Sequence, residues 1–181
     1  MTSALFQRQL ATYTSYHRDH RNRLTHFFGI PAIILSPMLA LATARIWLGS
    51  VTVSLAVLVS AAVWLLWIGL DRPIGLAMGL FMIPSLALAE WIATSQPAAQ
   101  VWILFALLFI GGWALQLWGH VYEGRRPALV SNLFQALIGP MFLAAEIFFA
   151  LGWRRDLKAQ VERLVREAEP QIGGESGRPS A

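Results

Sequence analysis

Four apolar stretches of nearly equal length dominate the chain: residues 27–47, 51–70, 74–92 and 101–118. Each has about 18–21 residues, and an α-helix of that length extends roughly 27–31 Å, the thickness of the hydrocarbon core of a bilayer. The links between them are short and rich in turn-forming residues: 49–50, 71–73 and 94–97. Short links place consecutive helices antiparallel. The sequence therefore predicts an all-α, polytopic integral membrane bundle with four full crossings.

The composition narrows the class of protein further. Hydrophobic residues make up 56% of the chain and charged residues 13%, whereas a soluble domain carries about 25% charged residues. These values exclude a soluble globular enzyme and a disordered protein. The net charge of +4 is spread over loops and termini, so no nucleic-acid partner is expected. Cysteine is absent, which excludes disulfides, thiolate zinc sites and a cysteine nucleophile.

A fifth apolar stretch, residues 129–153, differs from the others because it contains a Gly139-Pro140 break and a carboxylate at Glu146. Basic residues cluster before the first stretch, after the fourth and after the fifth, and such clusters mark the cytoplasmic side. A cytoplasmic N-terminus with four crossings satisfies the first two clusters. A fifth full crossing would place the most basic segment outside, so we expect 129–153 to be broken or re-entrant.

The pattern divides the chain into three parts. Residues 1–153 form a single membrane-embedded domain with a polar N-terminal segment. Residues 154–170 are expected to form an amphipathic surface helix, because apolar residues recur there at helical spacing, and residues 171–181 a disordered tail. The abundance of Arg, Ala and Leu favours a bacterial inner membrane, or the endoplasmic reticulum if the source is eukaryotic.

This topology places all four histidines on the same side of the membrane. His17, His20 and His26 precede the first crossing, and His120 ends the fourth, on the same cytoplasmic side. Glu123 follows His120 by three residues, a spacing with which helical bundles present metal ligands. Three imidazoles and a carboxylate suit a borderline divalent ion such as Fe(II) or Zn.

A straight helix would place His17 and His26 half a turn apart. Both reach one metal only if the helix breaks between them, for which residues 19–22 offer candidates, with Asn22 as a plausible N-cap. Alternatively, only one of the two is a ligand and the other supports it through hydrogen bonds. A third interpretation is that the histidines are ordinary polar residues of the membrane interface, and His20 taken alone fits that class. The arginines at 18–23 are most simply contacts to lipid headgroups.

Two runs of sequence carry a resemblance to a known family. Residues 16–31 read YHRDHRNRLTHFFGIP, and residues 116–129 read QLWGHVYEGRRPAL. Pro140 followed by Glu146 forms a third, weaker block. Together they resemble the Mpo-like family of fatty-acid α-oxidation enzymes, over residues from about 13 to 150.

The resemblance implies an Fe(II)-dependent dioxygenase that uses O2 to shorten 2-hydroxy fatty acids by one carbon. It implies these catalytic and metal-ligand candidates: His17, His26, His120 and Glu123. Four more side chains are candidates for supporting them: Asn22, Gln116, Glu146 and His20. Of these, His20 lies outside the family pattern, and Gln116 also fits an interhelical hydrogen bond.

Such a substrate keeps its polar head at the interface while its chain lies among the helices. We expect nearby arginines to bind its carboxylate: Arg21, Arg23, Arg125 and Arg126. Two alternatives remain open. The first is a non-enzymatic metal- or lipid-binding membrane protein or transporter subunit, and the second, ranked lower, is a bis-histidine haem protein. The sequence leaves the oligomeric state open.

Overall fold

The computed structural model describes residues 2–124 and 134–174 and is mostly helical. The elements of these residues are α1 (Ala4–Ser15), α2 (His20–Thr43), β1 (Arg45–Leu48), β2 (Val51–Ser54), α3 (Leu55–Leu70), α4 (Arg72–Ala77), α5 (Gly79–Ser95), α6 (Ala98–Glu123), α7 (Gln135–Ala150) and α8 (Arg155–Gly174).

Three helical segments are long and apolar enough to cross a membrane: His20–Thr43, Arg72–Ser95 and Ala98–Glu123. The apolar helix α3 has 16 residues and is shorter than these. Helices α7 and α8 form a pair bent by 117°. The predicted helical architecture is confirmed, but the described residues do not confirm four full crossings.

A β-hairpin interrupts what the sequence suggested were two consecutive crossings at 27–47 and 51–70. Strands β1 and β2 pair antiparallel through Arg45–Ser54 and Leu48–Val51, and Gly49 makes the turn with φ of 67°. The β-branched residues on either side of the turn favour strands over helix. They are as apolar as helical residues, so hydropathy alone extended both helices too far.

Helix α7 corrects the expected break at Gly139-Pro140, since both residues lie inside one continuous helix. Pro140 stands in the second turn, where proline removes only one helical hydrogen bond, to the carbonyl four residues earlier. The bend follows α7 instead, near Gly152 and Arg154, which both have positive φ. Prolines also lie inside two other helices: Pro31 and Pro37 in α2, and Pro84 in α5.

The N-terminal segment, expected to be polar, forms helix α1. Phe6, Leu10 and Tyr13 are buried on one face of it, and Ser3 caps its first turn by accepting a hydrogen bond from the Phe6 N–H at 3.1 Å. Helix α1 packs against α7 and α8. The predicted helix after residue 153 is present as α8, and its Leu157 and Val161 are buried. The predicted division into parts at 153 and 170 remains a prediction.

One buried ion pair joins the ends of several elements. Asp71, at the junction of α3 and α4, is fully buried and receives hydrogen bonds from Arg154 Nη1 at 2.7 and 2.9 Å. The Thr2 hydroxyl donates to the same carboxylate at 2.6 Å. A buried carboxylate needs such partners to offset its lost hydration. The N-terminus and the turn between α7 and α8 are thus fixed to one end of the bundle.

Helices α2 and α6 are in close contact along their length. A Cβ atom added at Gly112 of α6 would lie 3.0 Å from the carbonyl oxygen of Gly29 in α2. One added at Gly119 would lie 2.5 Å from Oδ1 of Asn22. Small residues at a helix crossing let the two backbones approach, as is common in membrane bundles. This contact places the beginning of α2 beside the end of α6.

We expect Gly119→Ala to destabilise the protein by about 1–3 kcal/mol, because the new methyl group has no space against α2. Gly111→Ala is the matched control: it lies on the same helix, and its added Cβ meets nothing within 4 Å. Thermal unfolding of the two detergent-solubilised variants measures the difference. Equal melting temperatures for both would show that the close approach of the helices has no energetic importance.

Candidate metal centre

Three of the four histidines converge in one buried group. His17 lies between α1 and α2, His26 is in the second turn of α2, and His120 is near the end of α6. All three side chains are buried. One nitrogen from each lies within 4.8 Å of the others. The helix break that this convergence requires is present, although Asp19 rather than Asn22 caps α2.

Backbone carbonyls set the orientation of two of the imidazoles. His17 Nδ1 lies 2.7 Å from the carbonyl oxygen of Tyr13, and His26 Nδ1 lies 2.9 Å from that of Asn22. A carbonyl oxygen only accepts, so each Nδ1 carries the hydrogen and each Nε2 presents a lone pair. Each carbonyl belongs to the residue four positions earlier. Each imidazole is therefore oriented by a backbone carbonyl one helical turn earlier in the chain.

The two Nε2 atoms, of His17 and His26, face each other at 2.9 Å. Two lone pairs at this distance repel unless a proton or a cation lies between them. Two nitrogen ligands at right angles, each about 2.1 Å from a metal, are separated by about 3.0 Å. His120 contributes a buried Nδ1 with no hydrogen-bond partner among the described residues. The donor set therefore fits a divalent cation of the borderline class.

Burial keeps His17 and the tyrosine that stacks on it neutral. Desolvation lowers the pKa of His17 to about 3, so its imidazole is uncharged at neutral pH and its lone pair is free to bind a metal. Tyr13 stacks on His17 with ring centroids 4.0 Å apart, and burial raises the pKa of its phenol. The stacked pair thus remains neutral in the physiological range.

One cavity adjoins the histidines, and a larger one lies next to it. The smaller, of about 80 Å³, is bounded by the three imidazoles, by Trp113 and by the side chains of Gln116 and Gln135. No Arg, Lys, Asp or Glu is among the described residues that line it.

The larger cavity, of about 410 Å³, is lined by apolar side chains of α2, α4, α5 and α7. Ile30 and Ile34 line both cavities. A small cavity that carries the histidines and two amides and a larger apolar cavity therefore share a wall.

Glu123 lies beside the cluster but faces the break between α1 and α2. Its carboxylate accepts hydrogen bonds from the backbone N–H groups of Arg18 and Asp19 at 2.9 and 3.0 Å. It also accepts one from Nδ2 of Asn22 at 3.0 Å. Glu123 is thus outside the three-histidine group, and its predicted ligand role remains a prediction.

The other predicted site residues occupy different places. Gln116 lines the small cavity. Glu146 pairs with Arg23 at 2.9 Å, and Arg21 binds Asp19 at 3.0 Å while lying over the ring of Tyr122. His20 is exposed and outside the group. Arg125 and Arg126 lie outside the described residues, and the predicted carboxylate-binding roles of all four arginines remain predictions.

Tyr13 and Gln135 line the small cavity, but the sequence analysis did not assign them to the site. Tyr13 precedes His17 by four residues, one helical turn, which was a usable signal once α1 was recognised as a helix. Gln135 was visible as an amide within an apolar stretch. Nothing in its spacing connected it to histidines more than a hundred residues earlier in the chain.

Comparison with known proteins places the chain in a family. The family described as 2-hydroxy-palmitic acid dioxygenase Mpo1-like matches residues 3–151. The 2-hydroxy-palmitic acid dioxygenase MPO1 of Saccharomyces cerevisiae is 36% identical over 158 residues, which cover 85% of this chain and 86% of the yeast protein. No solved structure was found to match the chain. The two runs of sequence that contain the histidines carry the resemblance. The extent of both matches shows that the chain belongs to the Mpo1-like family.

Proposed function

We propose that the protein is a dioxygenase that uses Fe(II) and O2 to convert a 2-hydroxy fatty acid into a fatty product one carbon shorter. The observation that carries this proposal is the buried group of three imidazoles beside two neighbouring cavities, one lined in part by their rings and the other apolar. Kinship with a protein named as a 2-hydroxy-palmitic acid dioxygenase supports the reaction class and the substrate class.

The residues that would hold the metal are His17, His26 and His120, with Glu123 as a further candidate. Fe(II) held there would supply the one-electron chemistry that O2 needs to react with an organic molecule. The protein's own part is to orient the imidazoles through the carbonyls of Tyr13 and Asn22. Such second contacts fix ring orientation and raise ligand basicity.

The two cavities suit the two ends of a fatty acid. The larger one is apolar and adjoins the smaller one at Ile30 and Ile34, so the chain would lie in the larger cavity with its polar end beside the histidines. Relative to water, burial of the acyl chain is favourable at about 0.8 kcal/mol per CH₂ group. The apolar walls also exclude water from the reacting end, which limits side reactions.

A membrane location is part of the same proposal. The three long apolar helices support it, and the basic N-terminal segment favours a cytoplasmic position for the histidine end. The bacterial inner membrane, or the endoplasmic reticulum in a eukaryote, remains the predicted location. A substrate that dissolves in lipid would then reach the larger cavity from the bilayer.

The proposed reaction predicts oxygen uptake by the purified, detergent-solubilised protein supplied with Fe(II) and 2-hydroxypalmitate. Mass spectrometry should detect a fatty product one carbon shorter, in proportion to the oxygen consumed. His120→Ala should abolish both signals because it removes one imidazole from the group. His20→Ala should retain them, since His20 is exposed and outside the group. Iron binding without oxygen uptake would contradict the enzyme and favour a metal-binding membrane protein.

Removal of any one imidazole should also lower iron retention. We expect His17→Ala, His26→Ala and His120→Ala each to lose most of the iron that copurifies with the wild type, while His20→Ala keeps it. Elemental analysis after gel filtration measures the iron-to-protein ratio. A Soret band in the absorption spectrum would instead identify a haem protein, and an unchanged ratio in all four variants would reject the three-histidine centre.

Glu123→Gln tests whether this carboxylate binds the metal or holds the break between α1 and α2. An amide oxygen cannot replace both carboxylate oxygens as acceptors for Arg18 and Asp19, so we expect a loss of about 1 kcal/mol in the free energy of unfolding. Visible spectra of the Co(II)-loaded protein separate the two roles. An unchanged spectrum with lowered stability assigns Glu123 to the loop, and an altered spectrum assigns it to the metal.

A further inference from the structure

Two buried glutamines line the small cavity, and each has a polar atom without a partner. Gln116 in α6 is 6% exposed and Gln135 at the start of α7 is 2% exposed. Among the described residues, Nε2 of Gln116 and Oε1 of Gln135 have no hydrogen-bond partner. Burying an unpaired amide group costs about 1–3 kcal/mol. The cavity beside the three imidazoles is therefore lined by one residue with an unpartnered donor and one with an unpartnered acceptor.

Packing fixes the position of both amides. The Gln135 side chain donates from Nε2 to Oε1 of Gln9, which leaves its carbonyl oxygen buried and without a partner among the described residues. Nε2 of Gln116 lies against the bare backbone of α2, where a Cβ atom added at Gly29 would be 2.7 Å from it. Neither amide is a mobile surface group. Their positions suit the recognition of a ligand by shape and hydrogen bonding.

The chemistry of the cavity wall selects the kind of ligand. It presents one amide donor and one amide acceptor beside three imidazoles, and no charged side chain among its described residues. A 2-hydroxy acid offers the complementary pair, a carboxylate that accepts and a hydroxyl that donates, on adjacent carbons. A simple fatty acid offers the carboxylate but would leave the Gln135 oxygen unpaired.

We propose that Gln116 and Gln135 recognise the polar end of the substrate: the Gln116 amide donates to the carboxylate, and the Gln135 carbonyl oxygen accepts from the 2-hydroxyl group. This rests on the proposed function and assigns the selection of 2-hydroxy acids over unsubstituted fatty acids to one named side chain. A site built to bond a hydroxyl rejects the analogue that lacks it, because its own buried group is then left unpaired.

The test measures binding rather than turnover. Iron-loaded protein is kept free of oxygen, and radiolabelled palmitate bound to it is displaced by three competitors of equal chain length: 2-hydroxypalmitate, palmitate and 1,2-hexadecanediol. The variants are Gln135→Met and Gln116→Met, which keep side-chain length and remove hydrogen bonding. Gln100→Met is the matched control, since Gln100 is an exposed residue of the same helix as Gln116.

The wild type and Gln100→Met should prefer 2-hydroxypalmitate over palmitate. Gln135→Met should lower that preference about tenfold, because it weakens the binding of 2-hydroxypalmitate and removes the unpaired oxygen that disfavours palmitate, and the iron content should stay unchanged. Gln116→Met should lower the preference for 2-hydroxypalmitate over the diol, which lacks the carboxylate, by a similar factor. Retained palmitate binding and iron content in Gln135→Met serve as the control for folding.

The outcomes separate this inference from the proposed function. A wild-type preference that survives in Gln135→Met, or a parallel loss of affinity for both acids, overturns the assignment of the hydroxyl contact while the dioxygenase stands. A wild type that does not prefer 2-hydroxypalmitate overturns the inference, and the absence of oxygen uptake by the same preparation would show that the proposed function fails with it.

Discussion

The close approach of α2 and α6 is the contact on which the candidate site depends. His26 and His120 belong to these two helices, and Gly119 allows α6 to lie directly against Asn22 of α2. The backbone carbonyl oxygen of Asn22 accepts a hydrogen bond from His26, and the Asn22 side-chain amide donates one to Glu123. One helix crossing therefore sets both the distance between these two candidate ligands and the orientation of one of them. The third candidate, His17, is positioned because the break after α1 is tied to Glu123 at the end of α6.

The position of the histidines was predictable from the sequence because charge and hydropathy are global signals. Basic clusters placed the residues before α2 and the end of α6 on one side, and three of the four histidines lie together there. The role of Glu123 was harder to predict. Spacing of three residues shows that His120 and Glu123 share a helical face, but it does not show which segment lies opposite each of them. Here the backbone at Arg18 and Asp19 lies opposite Glu123.

One property of hydropathy explains why the predicted bounds of the first two crossings are wrong. Hydropathy measures how readily a segment leaves water, and it does not distinguish an apolar strand from an apolar helix. The hairpin around Gly49 and the 16-residue helix α3 were therefore merged into longer crossings. Helix α1 was not predicted for the opposite reason: it is polar on average, and the face formed by its buried Phe6, Leu10 and Tyr13 is evident only at intervals of three and four residues.

The prolines inside α2, α5 and α7 have a consequence for the cavity walls. Each removes the helical bond to the carbonyl four residues earlier, and all four of these carbonyls belong to residues that line a cavity: Phe27, Ile33, Leu80 and Ala136. Helices bend most easily where such a bond is absent. Both cavities are thus walled by segments that can flex without breaking further backbone bonds. In the proposed dioxygenase, acyl chains of different lengths would therefore be accommodated by changes in helix curvature, a compliance that resides in the main chain.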